Sequence, residues 1–151
     1  MVAYIIEKTK ENIMQTFLPY DNLGKSIKCL DNKRLGKQRV EAFQILKALN
    51  GEYSKTGAWE NHPATRMWRG YEAGLAFYKD LCIEEWIARG FNNTMKITTR
   101  PHHVWKLPKW FGDEFFHASH RSNLLRKDPE HYSQFGWHEP NDLDYVWPVK
   151  K

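Results

Sequence analysis

The stretch from Asp31 to Asn50 constrains this chain more than any other, because its two ends and its apolar period all point to one helix. Asp31 can accept hydrogen bonds from the free N–H groups of a first turn, and Asn50-Gly51 supplies a C-terminal stop. Between them Leu35, Ala42, Phe43, Leu46 and Leu49 form an apolar stripe. On the same register Arg34, Lys37, Gln38 and Glu41 share another face, since residues three and four apart are neighbours on a helix. This segment therefore places one carboxylate in a row of cations.

Two more segments have helical texture. One opens at Asn61-His62-Pro63, with proline in its favoured first-turn position, and runs to Arg89 before stopping at Gly90. Gly70 and Gly74 weaken its first half, so it reads as two helices or one bent one. Tyr71, Leu75, Tyr78, Cys82 and Trp86 fall on one face, widened by Leu81 and Ile87, which marks the central helix of a core. The other starts at Gly112-Asp113, with Asp113 as its cap, and runs to Lys127; Asp128-Pro129 ends it and begins another turn. Asn92 to Trp110 reads as a long loop carrying Arg100-Pro101-His102-His103, and Gly136 to Lys151 as an irregular aromatic clasp built on Trp137, Tyr145 and Trp147. No strand alternation and no repeat is present. The expected fold is all-α: a compact single-domain bundle of about three main helices, with long loops and an aromatic C-terminal segment.

Charge and composition narrow the function. The net charge is +5, and the segment Lys25 to Arg39 holds six basic residues (Lys25, Lys28, Lys33, Arg34, Lys37, Arg39) against Asp31 alone, a balance equal to the whole excess. A one-sign block suits phosphate contacts better than a solvated helix face. Arg121, Arg126 and Lys127 form a second basic knot. Aromatic residues make up 15% of the chain, and such rings fill cores or receive unstacked bases. Cys29 and Cys82 lie far apart and in no CxxC pair, which argues against a disulfide framework or structural zinc and suits a reducing compartment. No apolar run approaches the roughly 20 residues that span a bilayer, and Met1 to Ile13 lacks the pattern of a signal peptide. A cytoplasmic monomer without membrane association is expected.

Several chemistries lack their residues. There is no phosphate-binding glycine loop, no GxSxG elbow, no HExxH helix and no paired-cysteine deaminase pattern. His102, His103, His117 and His120 read as a metal set or, preferably, as phosphate contacts and helix packing, so neither metal nor cofactor is expected. Glu41 reads either as a structural ion-pair partner or as a group that handles protons while a base leaves a sugar C1′.

The run LDNKRLGKQRVEAFQILKAL from Leu30 to Leu49 resembles the first helix of the pyrimidine-dimer DNA glycosylases of the phage endonuclease V type. It aligns without a gap to bacterial members in which a Leu-Asp pair precedes the catalytic glutamate by the same interval. The resemblance continues through Asn61-His62-Pro63, Tyr71 to Phe91, Gly112-Asp113 with His117, and Arg126-Lys127-Asp128-Pro129 with Tyr132, in the same order. It points to a bacterial and phage branch of the family. The resemblance implies a helical domain that kinks double-stranded DNA, flips a nucleotide and excises a damaged or modified pyrimidine. It further implies that an N-terminal α-amine attacks C1′, forms a Schiff base and cleaves the strand by β-elimination. Glu41 would be the catalytic carboxylate, and Arg34, Lys37, Gln38, Arg39, His62, Arg121, Arg126 and Lys127 would contact DNA.

The chain departs from that pattern at its start. The family-like opening is Met14-Gln15-Thr16-Phe17, which divides the chain into an extension, 1–13, and a glycosylase-like domain, 14–151. Begun at Met1, the expected amine is locked in a peptide bond; begun at Met14, the bulky Gln15 blocks methionine removal and leaves the Met14 amine. Met14, Thr16 and Lys33 are therefore the candidate nucleophilic positions beside Glu41. A water activated by Glu41 would instead give base release without strand cleavage. Loss of catalysis would leave a DNA-binding protein with the same bent-DNA grip, and a third reading is an N-glycosidase of free nucleotides.

Overall fold

The computed structural model describes residues 14–52, 60–98 and 106–149. The expected extension 1–13 and His102 and His103 of the long loop lie outside the described residues. Among the described residues regular structure is entirely helical, with three main helices. In chain order these are α1 (Leu23–Lys28), α2 (Asn32–Leu49), α3 (Pro63–Arg66), α4 (Glu72–Ala88), α5 (Glu114–Lys127) and α6 (Pro129–Tyr132), followed by one 3-10 turn (Ser133–Phe135).

The caps explain the boundaries. Asp31 accepts from the Arg34 N–H at the start of α2, Asp113 from Phe115 and Phe116 at the start of α5, and Asp128 from His131 at the start of α6. The second helical segment is two helices rather than one bent helix. Gly70 sits between α3 and α4 with φ +88°, a backbone conformation that a side chain strongly disfavours. Helix α1 has little sequence signal, being only six residues long, and Asn22 caps it through Lys25 N.

The most extensive helix contact is between α2 and α4. Leu35, Ala42 and Ile45 of α2 join Leu75, Tyr78 and Cys82 of α4 in one core that also takes Trp68, Phe116, Leu124 and Tyr132. Phe43, expected in the stripe, is 41% exposed. The buried arc of α2 instead runs Leu35, Gln38, Glu41 with Ala42, Ile45 and Ala48, so two polar residues lie on the inward side. The aromatic C-terminal segment closes over the core as expected: Tyr145 stacks on His120 with ring centres 4.3 Å apart, and Trp137 on Tyr132 at 5.6 Å.

Candidate active site

The reason α2 buries Gln38 and Glu41 is a piece of extended chain. Residues 14–18 run through the interior with no regular structure, and their backbone polar groups cannot reach water. Such groups must be paired or cost a few kcal/mol each. Side chains from four elements meet that demand. The Gln38 amide accepts from Phe17 N at 2.9 Å and donates to Gln15 O at 2.9 Å. His120 Nδ1 accepts from Leu18 N, and His117 Nδ1 donates to Leu18 O, its tautomer set by Gly112 N donating to Nε2. The hydroxyls of Tyr78 and Tyr145 reach Phe17 O and Thr16 O, and Arg121 donates to Pro19 O.

One nitrogen of this segment is held by the candidate carboxylate itself. Gln15 N donates to Glu41 Oε2 at 3.0 Å, and Gln38 Nε2 approaches the same oxygen at 3.2 Å. Among the described residues Glu41 Oε1 accepts no hydrogen bond. Glu41 is 5% exposed, and burial pushes its carboxyl up to about 8 against the opposing pull of the Gln15 N–H, Lys37, Lys127 and Gln38.

Glu41 is nevertheless reachable. It lines a cleft of about 100 Å³ with Phe17, Lys33, Arg34, Lys37, Gln38 and Lys127, and also a wider groove of about 430 Å³ with Gly36, Arg39, Val40, Gln44 and Trp86. Lys33 and Lys37 border both. The block of cations seen in the sequence thus surrounds one weakly acidic carboxyl, and Lys127 joins it from the end of α5. Arg34 Nη1 is tied to Asp31 at 3.2 Å. The Asp31 carboxyl is itself half-desolvated, yet hydrogen bonds from Tyr132 and Arg34 hold it below the usual range.

The other expected site residues are engaged by partners inside the protein. Gln38 has both donors and both acceptor positions engaged inside the protein, the last by the Tyr78 hydroxyl at 2.6 Å, so its amide is spent on the buried segment rather than free for DNA. Arg121 is 9% exposed and is held by Glu114, Glu139 and Pro19 O; it lines neither recess. Arg126 lines neither recess and donates to Asn141 O and Asn123 Oδ1, fastening the C-terminal segment to α5. His62 caps α3 through Ala64 N and packs edge-on to Trp147. Arg39 borders the groove, lying over Trp86 at 4.9 Å and bonded to Asn93. The backbone nitrogen touching Glu41 belongs to Gln15; Thr16 is fully buried, its Oγ1 accepting from Trp68, which turns it away from the cleft. The Met14 side chain is in the core. Among the described residues no group of three or more His, Cys, Asp or Glu is arranged to hold a metal ion, and no helix is long and apolar enough to cross a membrane.

Tyr78, Tyr145 and Gln15 are residues whose part in the site sequence reasoning missed. One signal was available: Gln38 sits at an apolar-period position between Leu35 and Ala42, where a polar side chain needs an internal partner. Residues 14–99 match the family model described as pyrimidine dimer DNA glycosylase, which is more than half of the chain. Neither the curated proteins nor the solved structures contain a match.

Proposed function

This chain belongs to the pyrimidine dimer DNA glycosylase family, and we propose that it excises a damaged or modified pyrimidine from double-stranded DNA, with Glu41 as its acid–base group. The observation that carries this reading is a carboxyl pushed up to about 8 at the base of a cleft whose rim is Lys33, Arg34, Lys37 and Lys127. At neutral pH such a group is mostly protonated. It can give its proton to the departing base, and the carboxylate left behind then stands beside the positive charge that develops at C1′. The surrounding cations serve the phosphates that flank a flipped nucleotide. Burial is what keeps the proton on Glu41 against Lys37 and Lys127, whose charges would otherwise favour the carboxylate.

In this arrangement the donor hydrogen bonds of Gln15 N and Gln38 Nε2 fix Glu41 through Oε2, leaving Oε1 for the substrate. The Gln15 nitrogen, as part of a peptide bond, has its lone pair delocalised and positions the carboxyl without attacking. Glu41→Gln tests the reading, because glutamine can keep both contacts but carries no transferable proton. Base release from duplexes bearing pyrimidine photoproducts or oxidised pyrimidines should fall by about 10² to 10⁴, with duplex affinity little changed. A wild-type protein that binds these duplexes as the variant does, and frees no base from any of them, would instead be a DNA-binding module.

A further inference from the structure

Resting on that reading of the Glu41 cleft, we propose that Lys127 is the amine that bonds to C1′ of the sugar, so that this chain can cut the strand after the base is gone. Of the basic groups that line the cleft with Glu41, and the Gln15 nitrogen beside it, all but Lys127 are poorly suited to attack. The guanidinium of Arg34 keeps its proton and is tied to Asp31. Gln15 N is an amide. Lys33 and Lys37 are exposed on α2, at the open rim of the cleft. Lys127 differs from all of them. It is the last residue of α5, half-buried in the wall of the same cleft, and among the described residues it makes no ion pair or hydrogen bond. Burial first, and then Arg34, Lys37 and Arg126, press its amine toward the neutral form, while Glu41 alone pulls the other way. An amine held in the cleft wall beside an acid that can exchange protons with it is what imine chemistry requires.

The step balances with no external reagent. At an abasic site the open sugar presents C1′ as an aldehyde. Lys127 Nζ forms the C–N bond, the aldehyde oxygen leaves as water after taking up protons, and a protonated imine remains. Water takes a proton from C2′, and the electron pair left there expels the 3′ phosphate by breaking the C3′–O bond. Water hydrolyses the imine, returning the amine and an unsaturated aldehyde on the sugar.

Borohydride trapping of the full chain on a duplex with one abasic site reads this directly, with the cross-linked peptide identified by mass. The expected result is a reduced adduct on Lys127. Lys127→Arg keeps a cation for the phosphates but cannot form an imine, so trapping should drop at least about 100-fold while affinity for the abasic duplex changes by less than about three-fold. An adduct on Lys33 or on a terminal amine, or undiminished trapping by the arginine variant, would overturn the assignment. Base release from a damaged duplex, revealed by hot alkali, separates the two claims. Base release without any trapped adduct overturns the Lys127 assignment and leaves the excision reading standing; neither base release nor an adduct removes both.

Discussion

Glu41 is held at a cost to the fold, and that cost depends on pH. In the unfolded chain its carboxyl ionises near the ordinary value of 4.5, whereas in the folded protein burial moves this to about 8. Between those values the native state holds a proton that the unfolded state has lost, so stability falls as pH rises and levels off above the upper value. With the open cleft supplying some water to the carboxyl, the shift costs the fold about 3 kcal/mol above the upper value. Glu41→Gln does not titrate, so the variant should gain on the wild type steadily from about pH 5 to about pH 8 in urea melts. Parallel stability curves would mean that Glu41 ionises normally. The presence of a carboxylate among cations was legible from residue spacing. Its weakened acidity was not, because that depends on how much water the folded protein removes.

At the scale of elements, the close approach of α2 and α4 rests on Gly36. A Cβ built there would lie 2.9 Å from Trp86 Cζ3 and 3.0 Å from Cη2. The indole has little room to yield, since it stacks on Phe91 at 4.2 Å, lies under Arg39 and donates from Nε1 to Asn92 O. Gly36→Ala would raise helix propensity by about 1 kcal/mol, yet overpacking of this kind costs about 1–3 kcal/mol. We expect a net loss of about 1 kcal/mol in chemical denaturation, together with a changed Trp86 fluorescence signal, as the wall of the wider groove shifts. Equal or greater stability would show that the indole swings aside. The boundaries of α2, α5 and α6 were legible because Asp31, Asp113 and Asp128 act on N–H groups within three residues of themselves. Helix α1 and the inward turn of Gln38 were not, since the partner that makes each worthwhile lies far along the chain.

For the whole molecule, the net charge of +5 divides into cations that face the cleft and cations that hold the structure together. Lys33 and Lys37 belong to the first group and Arg121 to the second. Replacing Lys33 or Lys37 with glutamine should lower duplex affinity and reduce the slope of log K against log salt by about one for each lost phosphate contact. Replacing Arg121 with glutamine should leave that slope alone but destabilise the fold by about 2 kcal/mol, because Glu139 and Pro19 O lose their donor. If Arg121 altered the salt slope and Lys37 did not, the assignment of the two basic clusters would be reversed.

By itself the sequence determined that the chain is helical, where α2 and α5 begin and end and where α4 stops, and that Glu41 stands in a basic block. Each of these is written in contacts between residues close in the chain. Only the tertiary structure decided which polar side chains remain for a ligand. Residues 14–18 cross the interior without backbone partners of their own, and Gln38, His117 and His120 are used up in satisfying them, while Arg121 holds the next carbonyl, Pro19 O. That requirement also buries Glu41 and brings Lys127, 86 positions later in the sequence, to the same cleft. Hydrogen bonding at long range and the exclusion of water set the site, and neither has a period that can be read along a chain.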